Sequence, residues 1–179
     1  MKENIKEILE IPAGIECSIS DKVIKCRKDS SEFSKAIDLP RVNIKVEGSN
    51  ILLESSKGTK KELKVIKSYA AHIRNLFSGL QKKFTYKLEA CNVHFPMTLK
   101  LESGNLIISN FLGEKVQRKA KILPDVDVEI KGLKIALSSH DKEAAGQTAA
   151  NIEKATKIKN RDKRIFQDGI FIIEKPGRE

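Results

Sequence analysis

The densest run of reactive side chains in the sequence lies at 157–164. There Lys157, Lys159, Arg161, Lys163 and Arg164 face a single acid, Asp162. A second cluster, Lys115, Arg118, Lys119 and Lys121, follows the apolar run LIISN and the anchor Phe111–Leu112–Gly113. Arginine offers a planar fork of donors that matches phosphate oxygens, and lysine a compact point charge. A surface combining about six to ten such contacts binds nucleic acid with steep salt dependence. The hydrophobic alternation Ile170–Phe171–Ile172–Ile173 comes directly after a turn at Gln167–Asp168–Gly169. The cations therefore sit in a connection held between a helix and a strand, and the reading is that this connection docks on nucleic acid. A third cluster, Lys57, Lys60, Lys61 and Lys64, opens a helical pattern. Cations are disfavoured at a helix start, so either a phosphate compensates them or, the favoured reading, they form a solvated face.

Other chemistries lack their residues. Of the histidines, His72 falls mid-helix and His94 precedes Phe95–Pro96, where packing is its natural role. Ser139–His140–Asp141 are consecutive and cannot align a nucleophile, base and orienting acid; Ser139 or Asp141 instead suits a helix cap. Gly58–Thr59–Lys60–Lys61 lacks the leading glycine of a phosphate loop. Cys17, Cys26 and Cys91 have neither zinc spacing nor an even count, and read as buried thiols in a reducing compartment. No enzyme, metal or cofactor is expected. The aromatics are few, and those such as Phe33, Phe84, Phe95, Phe111 and Phe171 fall mostly in apolar patterns that point to the core. That argues against a platform for stacking single-stranded bases and leaves recognition of folded or double-stranded RNA by shape and phosphate. A basic adaptor module binding an acidic protein partner is the alternative for the same surface.

The chain has 179 residues, 40% of them hydrophobic and 32% charged, with a net charge of +10. A packed core is feasible and the charge favours a polyanionic partner. The start, MKENIKEILEIP, has no signal-peptide core, and no stretch reaches the roughly 20 apolar residues that cross a bilayer. The expectation is a cytoplasmic protein with no membrane partner.

The elements that must carry these cations come in two copies. Pro12 and Pro96, Pro40 and Pro124, Gly48 and Gly132, and Ser55 and Ser139 all keep one offset, 96 − 12 = 84. SKAIDLPRVNIKVEG reads against RKAKILPDVDVEIKG. Each copy has a hairpin, Ile11–Ile19 with Val23–Cys26 around Ser20–Asp21, and Met97–Leu101 with Leu106–Ser109. The alternating strands Val42–Val46 and Val126–Ile130 follow, then Ile51–Leu53 and Ile135–Leu137. A capping box at Thr59 and Glu62 starts the first helix, whose face is Leu63, Ile66, Ala70, Ile73 and Phe77 and which Gly79 stops. Ala145, Thr148, Ala149, Ile152 and Ala155 form the smaller face of the second. Phe84–Leu88 and Ile170–Ile173 are read as closing strands. The fold class is α+β: two tandem duplicated domains, each an antiparallel β-sheet with one packed α-helix, at 1–91 and 92–179. A short link near Ala90–Val93 makes a fixed elongated pair.

HFPMTLKLESGNLIISNFLGEKVQRKA together with NIEKATKIKNRDKRIFQDGIFI resembles the archaeal and eukaryotic branch of the large-subunit ribosomal protein L-six family, over essentially the whole chain. The resemblance implies a non-enzymatic, ribosome-associated structural constituent of the large subunit. It implies that the second domain makes most of the contacts to large-subunit rRNA, near the sarcin–ricin loop and the factor-binding region. Partners would then be rRNA, neighbouring large-subunit proteins and, indirectly, translational GTPases. Carried over, the motif positions are Asn110, Lys115 and Arg118, then Lys157, Lys159, Asn160, Arg161, Arg164, Gln167 and Gly169. The flanking cations Lys119, Lys163 and Lys175 complete the candidate rRNA-binding set. The chain ends Lys175–Pro176–Gly177–Arg178–Glu179, without the longer basic tail of many relatives.

Overall fold

A computed structural model describes residues 3–20, 23–28, 31–36 and 41–177. Asp21 of the expected turn, the repeat positions Leu39 and Pro40, the side chain of Lys57, and Arg178 and Glu179 lie outside the described residues. The chain divides into two units, Met1–Lys82 and Lys83–Glu179.

The first unit runs β1 (Glu3–Glu10), β2 (Glu16–Ser20), β3 (Val23–Lys28), β4 (Ser31–Ala36), β5 (Asn43–Glu47), β6 (Asn50–Gly58) and α1 (Lys60–Gln81). Its sheets have the orders β1-β6-β5 and β2-β3-β4. The second runs β7 (Phe84–Cys91), β8 (Thr98–Glu102), β9 (Asn105–Ser109), β10 (Arg118–Lys121), β11 (Asp127–Lys131), β12 (Lys134–Ser139), α2 (Lys142–Ala155) and β13 (Gly169–Glu174). Its sheets are β11-β12-β7-β13 and β10-β9-β8.

Strand register carries the duplication. Leu9 lies opposite Ile51, and Leu88 opposite Ile135. Cys17 lies opposite Cys26, and Leu99 opposite Ile108. The offset between equivalents is 135 − 51 = 84 at the central strand, 108 − 26 = 82 at the hairpin and 88 − 9 = 79 at the first strand. It drifts because the connecting loops differ in length while the pairing does not.

That register corrects the expected domain division. The strand Phe84–Cys91, assigned by sequence to the end of a first domain at 1–91, lies between β12 and β13 in the second unit's sheet. It is the counterpart of β1. The division falls at Lys82, and Ala90–Val93 is no link between the units, since Ala90 and Cys91 pair with Ile170 and Gly169. Among the described residues β13 therefore has no equivalent in the first unit. The third hairpin strands, β4 and β10, were not expected; their polar–apolar alternation is masked by Ser and Lys.

Each helix covers a sheet through the expected face. Ile66, Ala70, Ile73 and Phe77 are buried in α1, as are Ala145, Thr148, Ala149 and Ile152 in α2. The capping box of α1 forms: the Lys61 N–H donates to Thr59 Oγ1 at 3.2 Å, and the Thr59 N–H donates to the Glu62 carboxylate at 2.8 Å. The Thr59 hydroxyl, then its N–H, bring the Glu62 carboxyl down to about 2. Gly79 does not stop α1; it is buried in the last turn and the helix continues to Gln81. Asp141 caps α2 by accepting from the Glu143 N–H at 2.8 Å, while Ser139 Oγ accepts from the Asp141 N–H at 3.1 Å. The Ser139–His140–Asp141 run is thus a helix entry. No helix among the described residues is long and apolar enough to cross a membrane.

Gly146 lets α2 approach its sheet closely. A Cβ there would lie 2.9 Å from the Tyr86 hydroxyl and 3.4 Å from its Cζ. Alanine normally favours a helix interior over glycine by about 1 kcal/mol. Gly146→Ala is expected to show none of that gain and to lower the thermal midpoint, whereas the same change in a Tyr86→Phe background recovers it. Denaturation of the two single variants and the double variant tests the coupling.

Candidate nucleic-acid interface

Two loops of the second unit carry the expected cations. The β9–β10 loop is wound tightly, with Asn110, Leu112 and Gly113 at φ of 60°, 51° and 78°. Phe111, fully buried, pins it to the core. Asn110 is not a free contact: its Nδ2 donates to the Pro96 carbonyl at 3.0 Å. The Phe95 ring lies over Gly113 and is itself 46% exposed, so Phe95 is no core residue. Phe171, 44% exposed, corrects the same expectation, because the alternation of β13 turns it outward.

Arg118 is the most heavily committed cation. Its Nε and Nη2 donate to the two Glu114 carboxylate oxygens at 2.7 and 2.6 Å. Its Nη1 donates to the Ala155 carbonyl at the end of α2 at 2.8 Å, and its guanidinium covers the Phe111 ring at 4.2 Å. The helix end presents an unsatisfied carbonyl and the negative pole of its dipole, which a cation relieves. Hydrogen bonds from Arg118 hold the Glu114 carboxyl below its usual range. Arg118 is therefore a tie between the two loops. Lys119, one residue on in a strand, points to the other face; it is exposed, as is Lys115.

The α2–β13 loop is fastened at its return. Asp168, 1% exposed, accepts the Val93 and His94 backbone N–H groups at 2.9 Å each on one oxygen. Its other oxygen meets His94 Nδ1 at 2.6 Å. Burial pushes its pKa up, but these donors outweigh burial and leave the carboxyl below its usual value. His94 stacks on Phe166 at 4.8 Å, and Arg161 lies 4.8 Å above the same ring. A column thus runs from a buried carboxylate to an exposed cation. Beside it the Ile170 N–H donates to the buried Thr156 hydroxyl at 2.9 Å. Gly169, at φ 152°, passes where a Cβ would meet the Phe171 ring at 3.3 Å and the Thr156 carbonyl at 3.5 Å. Asp162 organises the turn: its carboxylate accepts from the Arg164 N–H at 2.9 Å and from Arg164 Nη2 at 2.9 Å.

The tied loops enclose a cleft of about 240 Å³ lined by Leu112, Glu114, Arg118, Lys154, Ala155, Lys157, Ile158, Lys159 and Arg161. Five cations there face one carboxylate. A second, more apolar cleft of about 780 Å³ includes Lys154, Lys157, Lys163, Phe166, Gln167 and Phe171 in its wall. Of the expected residues, Arg118, Lys157, Lys159 and Arg161 converge on the first cleft, and Lys157, Lys163 and Gln167 on the second. Asn110, Lys115, Lys119, Asn160, Arg164, Gly169 and Lys175 line neither. Gln167 donates to the Arg164 carbonyl at 3.2 Å, and Asn160 takes the left-handed turn at φ 57°. Lys154 and the Asp168–His94 pair were missed by sequence reasoning. The spacing of Lys154 one turn before Lys157 could have signalled the first.

Arg118→Ala leaves the Glu114 carboxylate and the Ala155 carbonyl without their donor, and is expected to cost about 2 kcal/mol in chemical denaturation. Arg118→Lys should recover only part, lacking the fork. Asp168 contributes stability that is complete above its unfolded pKa of about 4 and is lost as pH falls through the lower folded value. Asp168→Asn should therefore flatten the fall in thermal midpoint below about pH 4 and lower that midpoint at pH 7.

Known proteins share these segments. The family model described as Ribosomal protein L6 matches residues 95–169, which contain both loops. The chain is 38% identical over 174 residues to the large ribosomal subunit protein uL6 of Methanococcus vannielii, covering 97% of this chain and 96% of that one. It is 41% identical over 175 residues to the large ribosomal subunit protein uL6 of Methanothrix thermoacetophila, covering 98% and 99%. Identity of this extent over both whole chains is what the archaeal-branch resemblance implied. The chain belongs to the ribosomal protein L6 family.

Proposed function

We propose that this chain is a structural, non-enzymatic constituent of the large ribosomal subunit and binds large-subunit rRNA through the second unit. The observation that carries the reading is the first cleft, where Lys154, Lys157, Lys159 and Arg161 gather beside the Arg118 tie. Among the described residues, no carboxylate pairs with Lys157, Lys159 or Lys163. Their charge is left for a polyanion. The loop is held at both ends before RNA arrives, so little ordering is needed on binding. The mechanism is neutralisation and bracing: a rigid cationic edge holds rRNA helices in fixed relation. Following the family resemblance, we place that edge by the sarcin–ricin loop, beside the site where translational GTPases act, with neighbouring large-subunit proteins as further partners. Ribosome association in the cytoplasm follows from this reading.

Alanine at Lys157, Lys159 and Arg161 together should weaken binding to a large-subunit rRNA fragment by roughly ten-fold or more and flatten the salt slope. Arg164→Ala should change the slope less than Lys157→Ala, because Arg164 already carries the Asp162 carboxylate. Filter binding across a salt series measures both. Unchanged binding in the triple variant, or binding of an acidic protein with the same salt dependence and none of rRNA, would overturn the assignment.

A further inference from the structure

The hairpin β2–β3 of the first unit carries a pair of thiols that the RNA-binding reading does not use. Cys17 and Cys26 occupy directly opposed positions in its antiparallel ladder. Opposed residues in such a ladder have Cα atoms about 4.5–5.5 Å apart, inside the roughly 4.4–6.8 Å span that a disulfide accepts. The side chains point to the same face, where Cys26 is fully buried and Cys17 half-buried. As neighbours across the ladder the two thiols perturb one another: Cys26 lowers the pKa of Cys17, and Cys17 together with burial raises that of Cys26. The equivalent position in the second unit's hairpin is the aliphatic pair Leu99–Ile108. Packing at this place asks only for apolar bulk, so facing thiols add a reactivity the fold does not require. Both cysteines are free in the structure.

We propose that Cys17 and Cys26 form a redox couple that closes into a cross-strand disulfide, making this hairpin an oxidation site. Cys17 is the group that meets the oxidant, being the more exposed of the two. With hydrogen peroxide, the Cys17 thiolate attacks one peroxide oxygen; the O–O bond breaks, giving a sulfenic acid and hydroxide. The Cys26 sulfur then attacks the Cys17 sulfur and expels the S–OH oxygen, which leaves as water with the Cys26 proton. Hydroxide takes up the proton released by Cys17. Two thiols and one peroxide become one disulfide and two waters. A reducing thiol reverses the bond by exchange.

The full chain, reduced and freed of reductant, is treated with equimolar hydrogen peroxide and examined by intact mass and by tryptic mapping under non-reducing conditions. The expected product is lighter by about 2 Da. Cleavage at Lys22 and Lys25, which separate the two cysteines, should yield a linked peptide pair that dithiothreitol separates. In Cys26→Ser the Cys17 sulfenic acid should instead persist and be captured by dimedone. Oxygen addition at Cys17 without a link to Cys26, or linkage of Cys17 to Cys91 in place of Cys26, would overturn the proposal. Recovery of both thiols unmodified would overturn it equally.

Discussion

The Asp168 carboxylate is buried at the point where the basic loop rejoins the sheet, and it is saturated by two backbone N–H groups and an imidazole from residues 93 and 94. A buried charge with one donor removed is strongly destabilising, so this junction either forms complete or not at all. Its partners lie at the exit of β7, 74 and 75 residues earlier. The loop of 157–168 is thus anchored to the strand at the centre of the sheet as well as to its own neighbours. Arg118 makes the matching tie at the other end, on the Ala155 carbonyl that ends α2. Between these two fastenings the chain has little freedom, which lets a segment rich in mutually repelling cations keep one shape.

Duplication explains why the interface sits where it does. Both units pair their strands in the same register, and both place one helix over the sheet. The second departs from the plan twice. Its helix is shorter, ending at Ala155 where the first continues to Gln81, and its chain then returns as an added strand, β13. The cationic loop is the stretch between that shorter helix and β13. Small side chains on α2, with Gly146 against Tyr86, bring that helix close enough for its carboxyl end to reach Arg118.

Local pattern reveals much of this in the sequence alone. The helix faces, the Thr59–Glu62 cap and the two hairpins rest on contacts within a few residues, and periodicity reports them. The cationic loop is legible for the same reason. What periodicity does not report is which strand pairs with which. Phe84–Cys91 looks like the end of one repeat because it follows a helix, yet it opens the next, and only its register with Ile135 shows it. Arg118 and Arg164 illustrate a second limit. Both read as phosphate ligands by type, and the structure spends both on carboxylates, one across four residues and one across two. Asp168 reads as a turn residue before glycine, since its partners lie half a chain away. Phe95 and Phe171 lie in apolar patterns that point to the core, while strand alternation and the loop at Gly113 turn them outward.

The absence of a counterpart to β13 leaves β1 at the margin of its sheet, with no further described strand beside it. A bare margin is a template on which a second chain can build an aggregate. β1 carries Lys6 and Glu10 exposed on its outer face, and Glu7 is held at 2.9 Å by Arg74 of α1. Two copies brought together along this margin would have to bury or crowd those charges. The charges that alternate with isoleucine at the start of the chain thus oppose edge-to-edge pairing of the first unit.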